Sequence, residues 1–264
     1  MSARKHFAIF ALLAAGAPAL AQQLEPEQAS LLEQAREAAL EYSASLPDFL
    51  CTEVVRRMDA QGRRRLRDLE TLTVKDTLTV KLSYFGHRED YKLIEIDGKP
   101  TSLEYEFVAG AVSTGEFGTR LSSVFGPGSH ADFREKGWAT LRGRRAARYS
   151  YRTARENSSY QLRYGPRVIT VAYHGDVYVD EETHLVLRLT LRAEIPHGFP
   201  ISGNESSVDY EFAEVGGKRY LLPSHASSWA EYGTYVAENS VEFREYRKFQ
   251  AESSVTFDPT PEKK

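Results

Sequence analysis

The sequence predicts a mainly β (α+β) protein: a single large curled antiparallel sheet or incomplete β-barrel, with one long N-terminal helix and a short mid-chain helix. Three observations predict it. The stretch Arg167–Ala193 alternates apolar and polar residues, with Leu185, Leu187, Leu189 and Leu191 on one side and His184, Arg188, Thr190 and Arg192 on the other. Period-two alternation gives a strand one buried and one wet face. The same pattern recurs along most of the chain, and 15 Tyr and 13 Phe against 2 Met suit pleated faces. An antiparallel sheet of about nine to eleven strands, at spacings of about 8–15 residues, tends to curl under its own twist.

The elements follow in order. Met1–Ala21 reads as a secretory signal: Arg4, Lys5 and His6 are followed by the apolar run Phe7–Gly16 and the small-x-small pattern Ala19-Leu20-Ala21. Pro26–Leu46 is the long helix, with Ala29, Leu32, Ala35, Arg36, Ala39 and Leu40 at helical spacing and Leu31, Ala38 and Tyr42 widening the stripe. Pro26 suits a first turn, and Pro47 ends the helix by forcing its predecessor out of the helical region.

Phe49–Met58, Thr73–Leu82 and Tyr91–Ile96 read as strands, the last closed by the tight-turn pair Asp97-Gly98. Asp76 interrupts the apolar side of the second. Arg63, Arg64, Arg65 and Arg67 form a solvated hairpin end. Ser102–Gly137 differs in kind, being broken by Gly110, Gly115, Gly118, Gly126 and Gly128. Within it Phe117, Leu121, Val124 and Phe125 fit a short helix, which reads equally as a lid over the sheet or as a plain crossover. Trp138–Leu141 and Ala147–Arg152 flank a hairpin turn. Tyr160–Tyr164 and the Arg167–Ala193 ribbon follow, then a loop at Ile195–Gly203. The last strands are Val208–Val215, Arg219–Ala230 and Ser240–Gln250. Pro223 places its position at an edge or a bulge. One domain is expected over 22–258, with a frayed tail at 259–264.

Composition excludes several functions. Cutting after Ala21 removes Arg4 and Lys5 and no acidic residue, which takes the formal net charge from −3 to −5. That is no footprint for nucleic acid. Cys51, the lone Cys, admits no internal disulfide and sits in the apolar string Phe49-Leu50-Cys51-Thr52, the setting of a buried structural thiol.

Chemistry-bearing motifs are weak. His87, His130, His174, His184, His197 and His225 show no helical zinc spacing and there is no HExxH, so no metal is expected. His174 and His184 flank one hairpin beside Asp176, Asp180, Glu181 and Glu182, which reads as a surface hairpin end. No GxSxG or phosphate loop occurs, and Ser129-His130 are adjacent rather than facing. The pairs Glu104/Glu106 and Glu181/Glu182 read as wet-face residues. Tyr149, Tyr151, Tyr160, Tyr164 and Tyr173 read as core, with an aromatic ligand wall as the alternative. No cofactor is implied, and the reading is not that of an enzyme.

The order of elements is similar to that of the periplasmic lipoprotein-localisation carriers. Two strings carry the resemblance. Asp176-Val177-Tyr178-Val179-Asp180-Glu181-Glu182-Thr183-His184-Leu185-Val186-Leu187-Arg188 resembles that fold's strand–Asp-x-x-Thr–strand hairpin. Val208-Asp209-Tyr210-Glu211-Phe212 with Gly216-Gly217, Tyr220 and Leu222-Pro223 resembles the hairpin after it. The resemblance implies an incomplete barrel closed by helices over an acyl-chain pocket, and an arginine in the early strands for which Arg56 or Arg57 is a candidate by position. Gly115-Glu116-Phe117-Gly118 and Trp138–Arg145 also look like strings of an uncharacterised group of exported bacterial proteins, which implies no activity.

The expectation is a soluble periplasmic or secreted binding protein that holds a lipid or lipidated chain in the concave face. Phe117, Leu121 and Phe125 would line the ligand as a mobile cover, with peripheral rather than integral membrane contact. An envelope interaction module with a filled core is the first alternative, and a hydrolase the second.

Overall fold

A computed structural model describes residues 26–61, 72–108 and 116–249. The signal segment, the arginine cluster at 63–67 and the tail lie outside the described residues. The chain begins with α1 (Pro26–Ser45), followed by β1 (Phe49–Gln61), β2 (Thr73–Phe85), β3 (Arg88–Ile96) and the short β4 (Lys99–Pro100). Then comes α2 (Thr119–Phe125). After it run β5 (Asp132–Leu141), β6 (Arg144–Thr153), β7 (Gln161–Tyr164), β8 (Arg167–Thr170), β9 (Ala172–Asp180), β10 (Val186–Glu194), β11 (Ile201–Val215), β12 (Lys218–Tyr232) and β13 (Tyr235–Lys248).

Eleven of these strands form one open antiparallel sheet in the order β4-β3-β2-β1-β13-β12-β11-β10-β9-β6-β5, while β7 and β8 pair as a separate ribbon. The one long-range closure is β1 against β13, with Val55 opposite Val241. The other neighbours are consecutive in the chain, except β6 and β9, between which the β7–β8 ribbon is inserted; the segment that carries α2 runs from β4 to β5, the two edge strands. Turn chemistry fixes two of the hairpins. Asp97 and Gly98, and likewise Arg142 and Gly143, all take positive φ, the paired left-handed geometry that matches strand twist.

The curl shows in what α1 touches. The Tyr149 hydroxyl on β6 donates to the Gln28 carbonyl at 2.8 Å, and the Tyr84 hydroxyl on β2 donates to the Ser43 carbonyl at 2.9 Å. Near the middle of the sheet, Tyr42 donates to the Leu221 carbonyl on β12 at 2.8 Å. One helix thus reaches strands from both halves of the sheet. Its buried stripe is Gln28, Leu31, Leu32, Ala35, Ala39 and Tyr42. Ala29 and Leu40, expected on that stripe, face solvent, because the helix turns a face one step round from the one the Ala spacing suggests.

Other differences have local causes. The ribbon Arg167–Ala193 contains three strands, but β8 leaves the main sheet at Val171 to pair with β7. The expected loop Ile195–Gly203 ends early: β11 begins at Ile201 and runs through Gly203, because the Trp229 ring lies where a Cβ would be. Pro223 takes the second of its two expected places, a bulge: β12 is a central strand, and the β11–β12 register shifts at Asp209/Tyr210 beside the proline. That shift accommodates the missing N–H.

Candidate functional site

β1 presents Phe49, Cys51, Glu53, Val55 and Arg57 to the interior by simple alternation, and all five are buried. Two of them, Glu53 and Arg57, carry ionisable groups. Arg57 meets Asp76 across the β1–β2 ladder, with its Nε 2.6 Å from Oδ1. Asp76 interrupts the apolar side of β2 because it serves Arg57. Of the two arginines expected in the early strands, Arg57 turns inward and Arg56 outward.

Glu53 is only 1% exposed, and its Oε2 has no hydrogen-bond partner. Its carboxyl is pushed up to about 9, first by burial and then by the nearby Glu116 and Glu89. Glu116, as buried as Glu53, lies within 3.6 Å of the Arg120 guanidinium. Tyr91 feels the fields of Glu116, Glu89 and Glu53, and its hydroxyl donates to Glu89. Burial first, then these acids, raise the Tyr91 phenol. The Tyr105 ring stacks on Tyr91 with centroids 5.5 Å apart.

Of these groups Glu89 and Tyr91 line a cleft of about 500 Å³, together with Ser43, Tyr84, His87, Arg88, Phe117 and Thr119. It opens between the last turn of α1, the β2–β3 hairpin and the start of α2. Its volume falls within the range of small-ligand sites. The inner wall is aromatic, and Phe117 also packs on Phe49, Tyr84 and Phe243. The mouth is polar.

The structure places Phe117, Leu121 and Phe125 on the interior side of the α2 segment, each at most 2% exposed. Phe117 lines the cleft. Leu121 and Phe125 continue away from it, and Phe125 stacks on Phe133 of β5. Backbone carbonyls along this segment are tied down one by one. Glu116 O accepts from Tyr210 at 3.2 Å, Phe117 O from Ser43 Oγ at 3.3 Å, Ser123 O from Tyr173 at 2.6 Å and Phe125 O from Arg36 at 3.1 Å. Buried tyrosines on the sheet therefore act as donors to the helices lying in it.

The remaining candidates do not assemble. His174 Nδ1 sits 3.3 Å from Glu194, beside the Arg152–Glu194 pair on the outer surface. His184 caps a turn at positive φ. Ser129 Oγ donates to the Val124 carbonyl, while His130 adopts positive φ. Among the described residues no group of His, Cys, Asp and Glu could hold a metal. Cys51 is buried, and burial raises its thiol. Tyr149, Tyr151 and Tyr173 are core, whereas Tyr164 is exposed. The sequence reading missed Glu53, Glu89 and Tyr91; the legible signal was a charged residue at the inward period of β1.

No family model matches this sequence, and no curated protein does. Among solved structures, the chain is similar to a LolA superfamily protein from Nitrosomonas europaea (TM-score 0.40, 10% identity, 87% of this chain and 97% of that one). It is also similar to an outer membrane lipoprotein-sorting protein domain from Vibrio parahaemolyticus (0.39, 10%, 86% and 93%). A third is the lipoprotein LppX of Mycobacterium tuberculosis (0.31, 10%, 87% and 99%). No helix among the described residues is long and apolar enough to cross a membrane.

Proposed function

We propose that this is an exported, periplasmic or secreted binding protein that holds an apolar chain, from a lipid or a lipidated polypeptide, between the curled sheet and its two helices. The cleft at Phe117 carries the reading: it opens at one end of the apolar row Phe117, Leu121 and Phe125, of which Phe117 lines it and the other two lie buried under α2. A chain longer than the cleft reaches Leu121 and Phe125 when α2 shifts. The helix is one of seven residues, and its carbonyls are held by single hydrogen bonds, each contributing roughly 1 kcal/mol net. A cover of that strength can yield to a ligand. Contact with a membrane would be peripheral, through the cleft mouth.

The test is direct. The protein, expressed with its N-terminal segment and purified after export, is extracted with organic solvent and the extract analysed by mass spectrometry. A co-purified lipid, or micromolar binding of a fluorescent fatty acid that Thr119→Trp weakens by filling the cleft, is the expected result. Leu121→Asp should weaken it further. No lipid and no binding would overturn the reading. A second reading, an envelope interaction module with a filled interior, is favoured by the complete burial of Val124 and Phe125. It would gain from that negative result.

A further inference from the structure

The β7–β8 ribbon stands at the end of the sheet away from the cleft. Its Tyr164 touches Tyr232 at the β12–β13 turn, where Tyr235 pairs with Gln61 at the end of β1. The cleft lies where β1 starts, with Phe49 opposite Tyr84. The two ribbon strands pair only with each other, Arg163 opposite Val168 and Tyr164 opposite Arg167. Each therefore leaves an outer edge without a ladder partner. Leu162 anchors the ribbon, buried with Val171, Phe199 and Ile201 in a small cluster apart from the main core. Gln161 and residues 163–168 are exposed, including the large apolar side chains of Tyr164 and Val168.

Charge on the ribbon has one sign. No acidic residue lies between Glu156 and Asp176, nor in the segment 195–203 that supplies Phe199 and Ile201. Arg152, Arg188 and Arg192 on the neighbouring strands each have a carboxylate partner. Arg163 and Arg167 have none among the described residues, and the Arg167 guanidinium lies over the Phe199 ring at 5.3 Å. An open strand edge takes an extended chain, whose backbone completes the ladder. Guanidiniums without a counter-charge take carboxylates, which they grip with two hydrogen bonds. A second copy of the ribbon would set these arginines against their own counterparts, and facing like charges oppose pairing. A bilayer has no backbone to offer the edge.

We propose that the β7–β8 ribbon docks an acidic, extended polypeptide segment by strand addition. Arg163 and Arg167 are the counter-charges to its carboxylates, and Tyr164 and Val168 are its apolar contacts. The site is separate from the cleft and stands whether or not the cleft holds a ligand.

The experiment is a display selection of random octapeptides on the full purified protein, followed by hydrogen exchange with the strongest binder. The selected peptides should be rich in Asp and Glu. The binder should slow exchange at residues 161–170 and leave the hairpin at 85–88, beside the cleft, unchanged. Arg163→Glu with Arg167→Glu changes only exposed side chains, and should weaken binding of that peptide about tenfold or more. N-methylation of alternate peptide amides, which removes ladder donors, should weaken it by about as much. Arg134→Glu on the edge strand β5 should leave it unchanged. Selection of neutral or basic peptides, slowed exchange elsewhere, or no selection at all overturns the proposal. So does binding to phosphatidylglycerol vesicles that needs both arginines when no peptide is selected, which would make the ribbon a membrane contact.

Discussion

Arg57 and Asp76 face each other across the β1–β2 ladder as a buried fork, Nε to Oδ1 at 2.6 Å, with side chains 8% and 14% exposed. A pair this enclosed is held by geometry rather than by net charge attraction, because desolvating both ions offsets much of the gain. Removing one partner is the costly change. Asp76→Ala should lower stability by about 3–5 kcal/mol, read as a fall in the urea midpoint at unchanged slope. Arg57→Met with Asp76→Leu should recover most of that loss. A single substitution costing under about 1 kcal/mol would place the pair among weak surface contacts.

The tyrosine donors make a second prediction. Tyr173→Phe removes the 2.6 Å bond to the Ser123 carbonyl and leaves the ring in place. It should cost about 1 kcal/mol. Hydrogen exchange should quicken in α2 while β9 stays protected. Uniform acceleration across both would mean that α2 does not open on its own.

Stability should depend on pH through Glu53. In the folded chain burial, then Glu116 and Glu89, keep this carboxyl protonated up to about 9. In the unfolded chain it ionises near its ordinary value of 4.5. Between those limits the folded state binds the extra proton, so stability is full below about 4.5 and falls as pH rises towards 9. Urea midpoints measured from pH 5 to 9 should decline, and Glu53→Gln should flatten the slope. At lower pH the opposite trend sets in. Burial alone would raise the Asp209 carboxyl, but Arg188 and Arg142 outweigh it and hold it low. Its contribution is therefore lost as pH drops through its folded value.

Gly118 joins the cleft to the helix pair. It takes φ +132, and an added Cβ would fall 1.7 Å from Ser43 Oγ. Gly118→Ala must strain the backbone and push α1 from α2, at about 1–3 kcal/mol. For a chain of this size that is roughly 2–4 °C of melting temperature per kcal/mol. Binding of any cleft ligand should change with it, since Ser43 lines the wall. Unaltered melting would contradict the tight contact.

Periodicity carried much of the architecture. Leu187, Leu189 and Leu191 fall inward as their spacing requires, and Arg188 and Thr190 lie on the other face. The Asp97-Gly98 turn and the breaks around α2 were legible for similar reasons, since they depend on a few neighbouring residues. The spacing of Ala29 and Leu40 points them inward, but small or apolar residues at helical spacing fit more than one face, and both lie exposed. The start of β11 was hidden because Gly203 signals a loop locally, whereas its ring neighbour Trp229 comes from a strand far along the chain.

Alternation, turn residues and proline positions, read one local window at a time, determined that this chain is mostly β, with one long helix before the strands and a short one among them. The tertiary structure decided the rest: the pairing of β1 with β13, the partner of Asp76, and the gathering of Glu53, Glu89 and Glu116 around Tyr91. Strand identity depends on side chains a few residues apart, and the sequence holds those. Which strands meet, and which charges are buried together, depends on long-range closure of the curled sheet around α1, and no local spacing encodes that.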